Sequence, residues 1–187
     1  MAQFVANDRN VLVNGRTIMS IVDGMGLFSS LVEYFFHRAG LPRPCEIVAD
    51  ENHWYPQQKW LDAFRLISEK VGAKTLFLIG KKIPENAAFP PDINNIEAAL
   101  ESINIAYHMN HKNYREGGIG SYGYEKTPGK NEAIMVCDNP YPCDFDLGII
   151  TAMAKRFSRW AIVTHDDSQP CRKHGAESCT YTVTWKH

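Results

Sequence analysis

Three cysteines in the last third of the chain carry its strongest chemical signal. Cys143 follows Pro142 at the head of a helical pattern, and Cys171 and Cys179 bracket the run Arg172-Lys173-His174-Gly175-Ala176-Glu177-Ser178. A cysteine at a helix N-terminus feels the positive end of the helix dipole, which favours the thiolate that a metal requires. Gly175 permits a tight reversal that would bring the other two sulfurs together. Zinc takes four ligands at about 2.0 to 2.3 Å, so the three thiols amount to most of a structural site. Asp167 is the preferred fourth ligand, with His174, Asp166 and His165 as alternatives. The closing pair is not a CxxC, so the spacing alone weighs a metal site and inert buried thiols equally. Cys137 ends a strand pattern, a common place for a buried thiol, and Cys45 stands alone.

A second set of residues could line a pocket. Trp54, Trp60, Tyr107, Tyr122 and Tyr124 offer rings with polar edges, which suit a mostly apolar cavity with a few orienting hydrogen bonds. His108 and His111 stand three apart near the end of a helical pattern. That spacing puts them on one helical face and invites a metal or haem reading, although a histidine at a helix C-terminus often only caps it. Cys137, His165 and Asp166 are the only adjacent reactive types left for an enzyme, and nothing in their spacing selects a reaction. Gly117-Gly118-Ile119-Gly120 is followed by neither a helix nor Lys-Ser/Thr, which excludes a phosphate loop.

With 187 residues, the length fits one domain with a self-sufficient core. Twenty Lys and Arg against 21 Asp and Glu give a net charge of −1, which argues against nucleic acid or anionic lipid as partner. No apolar run reaches the roughly 18 residues of a membrane span, and the N-terminus lacks the pattern of a signal peptide, so the expected location is cytoplasmic. Five cysteines, an odd count, fit ligands or buried thiols better than a disulfide framework.

The elements that must position these groups follow from periodicity. Val11, Val13 and Ile18 around Asn14-Gly15-Arg16 predict a short hairpin. Helical spacing predicts a helix through Phe35 to Gly40, a second carrying Trp60, Phe64, Ile67 and Val71, and a third capped by Asp92 and reaching His108. Ile119 to Glu125 and Ala133 to Cys137 predict a hairpin around Thr127-Pro128-Gly129-Lys130-Asn131. A helix opening at Cys143 precedes strands over 161–164 and 179–185, the latter with Cys179, Tyr181, Val183 and Trp185 on one face and threonines on the other. Interleaved helices and hairpins give an α+β class with a mostly antiparallel sheet packed by amphipathic helices.

The order of these features resembles the 4-vinyl reductase domain and the sensory modules of aromatic-responsive bacterial transcription activators, in the superfamily of NO-signalling and Golgi-transport ligand-binding domains. The residues that carry the resemblance are Cys171 through Cys179 followed by Thr180-Tyr181-Thr182-Val183, with Cys143 heading a helix before them, and the segment Val11 to Met19. The resemblance implies a structural zinc on Cys143, Cys171 and Cys179 beside a closed cavity, with Tyr122 and Tyr124 on the hairpin that contributes to it. It departs at Ser168, where an acidic ligand is expected, with Asp167 next to it as a substitute. The implied function is a stand-alone sensory domain for a small hydrophobic or aromatic molecule, a homodimer signalling to a separate output protein. The alternative is a haem or tetrapyrrole-binding gas sensor through His108 or His111, since the wider superfamily includes gas-sensing members. An enzyme acting on such a ligand is the second alternative.

Overall fold

A computed structural model describes residues 2–186. Among them, seven strands form two antiparallel sheets. The smaller has the order β2-β1-β3, from β1 (Leu12–Asn14), β2 (Trp54–Pro56) and β3 (His111–Lys112), with Val13 opposite Tyr55 on one side and His111 on the other. The larger has the order β4-β5-β7-β6, from β4 (Tyr122–Lys126), β5 (Glu132–Cys137), β6 (Ile162–His165) and β7 (Cys179–Thr184). Cys179, Tyr181 and Val183 of β7 are buried and alternate with half-buried threonines, as a sheet with one covered face requires.

Among the described residues six α-helices accompany the sheets: α1 (Gly15–Met25), α2 (Ser29–Ala39), α3 (Gln57–Lys70), α4 (Ala73–Asn86), α5 (Ile96–Met109) and α6 (Cys143–Phe157). Helix α6 lies between α4 and the larger sheet, against β6 and β7, and α5 packs on α6 and β4. Two glycines let α4 and α6 cross closely. A Cβ on Gly80 would strike the Phe145 carbonyl, and one on Gly148 would strike the Phe77 carbonyl. This crossing fixes where the inward side chains Phe145 and Ile149 stand. None of the described helices is long and apolar enough to cross a membrane.

The α+β class and the hairpin of β4 and β5 follow the sequence pattern, two local expectations are corrected, and one helix is added. Asn14-Gly15 is not a hairpin turn. The Asn14 side chain accepts from Arg16 N at 2.9 Å and caps α1, and β1 finds its partners in β2 and β3 instead. Helix α5 is capped by Asn95 rather than Asp92, the Asn95 side chain accepting from Ala98 N at 2.8 Å. The segment 73–86, to which the sequence pattern assigns no element, is α4, in which Gly80 serves the close crossing and Pro84 stands in the last turn.

Candidate functional site

The cavity lies where α1, α3, α4, α5 and α6 converge on β4. Trp60, Ile103, Tyr107, His111, Tyr122, Tyr141 and Phe145 are among its walls, and its volume is about 40 Å³. A water needs roughly 10–15 Å³ on that measure, so the space holds about three. Its rings pack edge to face: Trp60 with Tyr141 at 4.9 Å, and Tyr107 with Tyr122 at 5.3 Å.

One polar chain runs along this wall. The Tyr107 carbonyl can only accept, so His111 Nδ1, 2.7 Å away, carries the proton and donates to it. That leaves His111 Nε2 as an acceptor, and Tyr141 donates its hydroxyl hydrogen there at 2.6 Å. Gln57 Nε2 then donates to the Tyr141 oxygen at 3.0 Å. Burial pushes the His111 ring down to about 4, so it is a neutral imidazole. Two buried polar atoms beside the chain, Trp60 Nε1 and Gln57 Oε1, have no hydrogen-bond partner.

Of the expected pocket residues, Trp60, Tyr107 and Tyr122 line the cavity. Tyr124, Trp54 and His108 stand elsewhere, and their placement is a correction. Tyr124 shares the face of Tyr122 but lies one pleat further along β4, near Glu97 and Glu101 of α5. Trp54 belongs to the smaller sheet, with Lys112 Nζ 4.3 Å over its ring. His108 bonds its own helix, Nδ1 to the Asn104 carbonyl at 2.9 Å, and meets the Tyr114 ring edge to face. His108 and His111 do not share a helical face, because α5 ends at Met109 and His111 has entered β3.

The thiols converge at the first residue of α6, just before Phe145 of the cavity wall. Ligand atoms of Cys143, His165, Cys171 and Cys179 all lie within 4.8 Å of one another, with Cys171 Sγ and Cys179 Sγ 3.7 Å apart. Three sulfurs and one imidazole nitrogen match the donor set of a tetrahedral zinc site. The fourth group is His165, not the preferred Asp167. Asp167 Oδ1 instead bonds His165 Nδ1 at 2.8 Å, the usual arrangement behind a metal-binding imidazole, while His165 Nε2 is buried without a partner. Asp166 caps the turn at Ser168, and His174 is exposed beside the cluster, outside the set. The hydrogen bond with Cys143 and the adjacent Arg172 guanidinium hold the Cys179 thiol well below its usual range. Cys137 is buried and Cys45 exposed, both outside the group.

Sequence reasoning missed Arg172, whose side chain is fully buried. It pairs with Asp146, also fully buried, whose Oδ1 accepts from the Tyr122 hydroxyl at 2.6 Å. Burial pushes the Asp146 carboxyl up to about 6 against the pull of Arg172, so the pair is ionised at neutral pH. No signal in the sequence marks either residue as buried.

No family model matches the chain, and no curated protein matches it. Solved structures do. An H-NOX protein from S. oneidensis in the Fe(II) ligation state aligns over 93% of this chain and 96% of its own, with TM-score 0.65 and 13% identity. An oxygen-binding H-NOX domain related to soluble guanylate cyclases, in its oxygen complex, covers 92% and 93% with TM-score 0.61 and 14% identity. A T. tengcongensis H-NOX variant covers 91% and 96% with TM-score 0.62 and 14% identity. The fold is that of H-NOX proteins. The expected likeness to a 4-vinyl reductase domain is thereby overturned. So is the expected order of cofactors, zinc first and haem second, since the solved structures that this chain matches include ones described by their haem and its distortion.

Proposed function

We propose that this chain is a haem-binding gas-sensing domain in which His111 is the residue that holds the iron. The observation that carries the proposal is a buried, neutral imidazole on the wall of an apolar cavity in an H-NOX fold. The donor set fits the group: His111 Nδ1 is fixed by the Tyr107 carbonyl, leaving Nε2 with a lone pair for a metal, and Trp60 Nε1 and Gln57 Oε1 are buried without partners. The room does not yet fit, since about 40 Å³ is far below a macrocycle, and Tyr141 occupies Nε2. Admission therefore requires Tyr141 to release His111 and the cavity wall to open.

Bound there, haem would supply an iron able to take a diatomic gas. The chain's part is to orient His111 through the Tyr107 carbonyl and to exclude water with the rings of Trp60, Tyr107, Tyr122 and Phe145. These features favour haem over a free hydrophobic or aromatic molecule as the cavity's occupant. Titration of the purified protein with haemin should give a sharp Soret band that saturates at one equivalent and disappears in His111→Ala. A titration indistinguishable from free haemin would overturn the reading.

A second site accompanies the first. The convergence of Cys143, His165, Cys171 and Cys179 favours a thiophilic divalent cation held there as a structural element, joining α6, β6 and β7. Elemental analysis should find about one equivalent, lost in Cys171→Ser. A homodimer and a separate output protein complete the proposal, and light scattering that returns the monomer mass would remove the dimer.

A further inference from the structure

One side chain links the thiol cluster to the residues that hold the cavity wall. The Arg172 backbone N–H and Nε donate to Cys179 Sγ at 3.4 and 3.3 Å. The far end of the same guanidinium pairs with Asp146 and donates to Asn139, to its carbonyl and, at 2.9 Å, to its Oδ1. Each of these acceptors holds one cavity tyrosine. Asp146 Oδ1 accepts from the Tyr122 hydroxyl at 2.6 Å, and Asn139 Oδ1 accepts from the Tyr141 backbone N–H at 2.9 Å. Tyr141 in turn occupies His111 Nε2. Arg172, Asp146, Asn139, Tyr122 and Tyr141 are all buried, so water cannot substitute for a bond that one of them loses.

We propose that Arg172 is a positioning residue that couples the thiol cluster to the cavity, so that a metal on the cluster weakens binding in the cavity and a cavity ligand weakens binding of the metal. The proposal rests on the haem and metal readings of the two sites. With the cluster empty, the Cys179 sulfur shares the guanidinium with Asp146 and Asn139. A metal on that sulfur takes up its lone pairs and charge, and the guanidinium then bears fully on Asp146 and Asn139. Tyr122 and Tyr141 are held more firmly, and Tyr141 releases His111 less readily. Linkage makes the effect reciprocal.

The probes are Zn²⁺ and haemin on the full chain. Haemin affinity, from absorbance titration, should be roughly 5-fold or more weaker in the Zn²⁺-loaded protein than in the chelator-stripped protein, within the ordinary range of coupling. In Arg172→Lys one amine keeps a charge for Asp146 but cannot also reach Cys179 and Asn139, so the two affinities should coincide. A haem-free readout is backbone hydrogen exchange over 106–111, which carries no thiol ligand. Removing Zn²⁺ should speed it in the wild type and leave it unchanged in Arg172→Lys. Tyr122→Phe, which keeps the Arg172–Asp146 pair and cuts its bond to the cavity wall, should shrink the effect in the same way and serves if Arg172→Lys does not fold. Equal haemin affinity and equal exchange with and without Zn²⁺ in the wild type would overturn the proposal, as would a full effect surviving in both variants. Protein that takes up no Zn²⁺ removes the metal reading together with the proposal. Protein that takes up Zn²⁺ but no haemin removes the haem reading alone, and the exchange measurement then decides.

Discussion

Tyr141 and His111 face each other across the cavity wall, the tyrosine hydroxyl donating to His111 Nε2 at 2.6 Å while Nδ1 is committed to the Tyr107 carbonyl. The nitrogen that would hold an iron is thus the one Tyr141 blocks. Tyr141→Phe should strengthen haemin binding, seen as a lower dissociation constant in absorbance titration. It should also cost about 1–3 kcal/mol of stability, because Gln57 Nε2 is left buried without an acceptor. Weaker haemin binding in a folded Tyr141→Phe protein would contradict the blocking role.

The neutral state of His111 gives a pH signature. Its folded pKa, about 4, lies below the ordinary 6.5. Between those values the unfolded chain binds the extra proton, so stability falls as pH drops from 6.5 towards 4 and is unaffected by His111 above that window. Asp146, pushed up to about 6, works in the opposite sense over part of the same range, losing stability as pH rises towards 6. The comparison that isolates His111 is wild type against His111→Gln, in which Asp146 cancels. The wild type should lose about 3 kcal/mol relative to the variant across the window by denaturant unfolding. A difference independent of pH would mean that His111 protonates in the folded protein.

At the thiol cluster, Cys143→Ser, Cys171→Ser and His165→Ala should each lose metal and thermal stability together, because metal binding and folding are linked. Asp167→Ala should weaken metal affinity by about 10–100-fold without abolishing it, as expected of a residue that orients a ligand. Cys45→Ser should change neither quantity. Elemental analysis with a competing chelator separates these outcomes, and complete loss of metal in Asp167→Ala would restore Asp167 as a ligand.

The crossing of α4 and α6 predicts a steric effect that depends on neither haem nor metal. Gly148→Ala places a methyl against the Phe77 carbonyl, with Gly80 opposite, and backbone on both sides cannot yield as a side chain would. The cost should be about 1–3 kcal/mol or more, read as a lower Tm. Gly129→Ala, which meets no neighbouring atom, costs only the strain of its positive φ and should be milder. Equal losses would show that the two helices do not meet as closely as described.

Some of this architecture was legible in the residues themselves. The alternation of Cys179, Tyr181 and Val183 against threonines specified a one-sided strand, and the apolar stripe after Pro142 specified α6 with Cys143 at its head, because both patterns are local. The hairpin of β4 and β5 was legible for the same reason, its turn being encoded by Pro128 and Gly129. The fourth member of the thiol cluster was not. His165 reaches Cys179 only because β6 pairs with β7 in the register that sets His165 opposite Tyr181, and strand register between segments 14 residues or more apart leaves no mark on either segment. The same holds for His111, which differs from His108 not by spacing but by the end of α5 at Met109. Arg172 is the clearest case. In a polar loop an arginine reads as solvated, and only the packing of that loop over the start of α6 removes it from water and gives it Asp146, Asn139 and Cys179 as partners. Local patterning settled elements such as α6, β4, β5 and β7 but not α1 or α4, whereas the identity of the buried polar partners was decided by long-range packing, since a charge can leave water only where the folded chain has already placed its counter-charge.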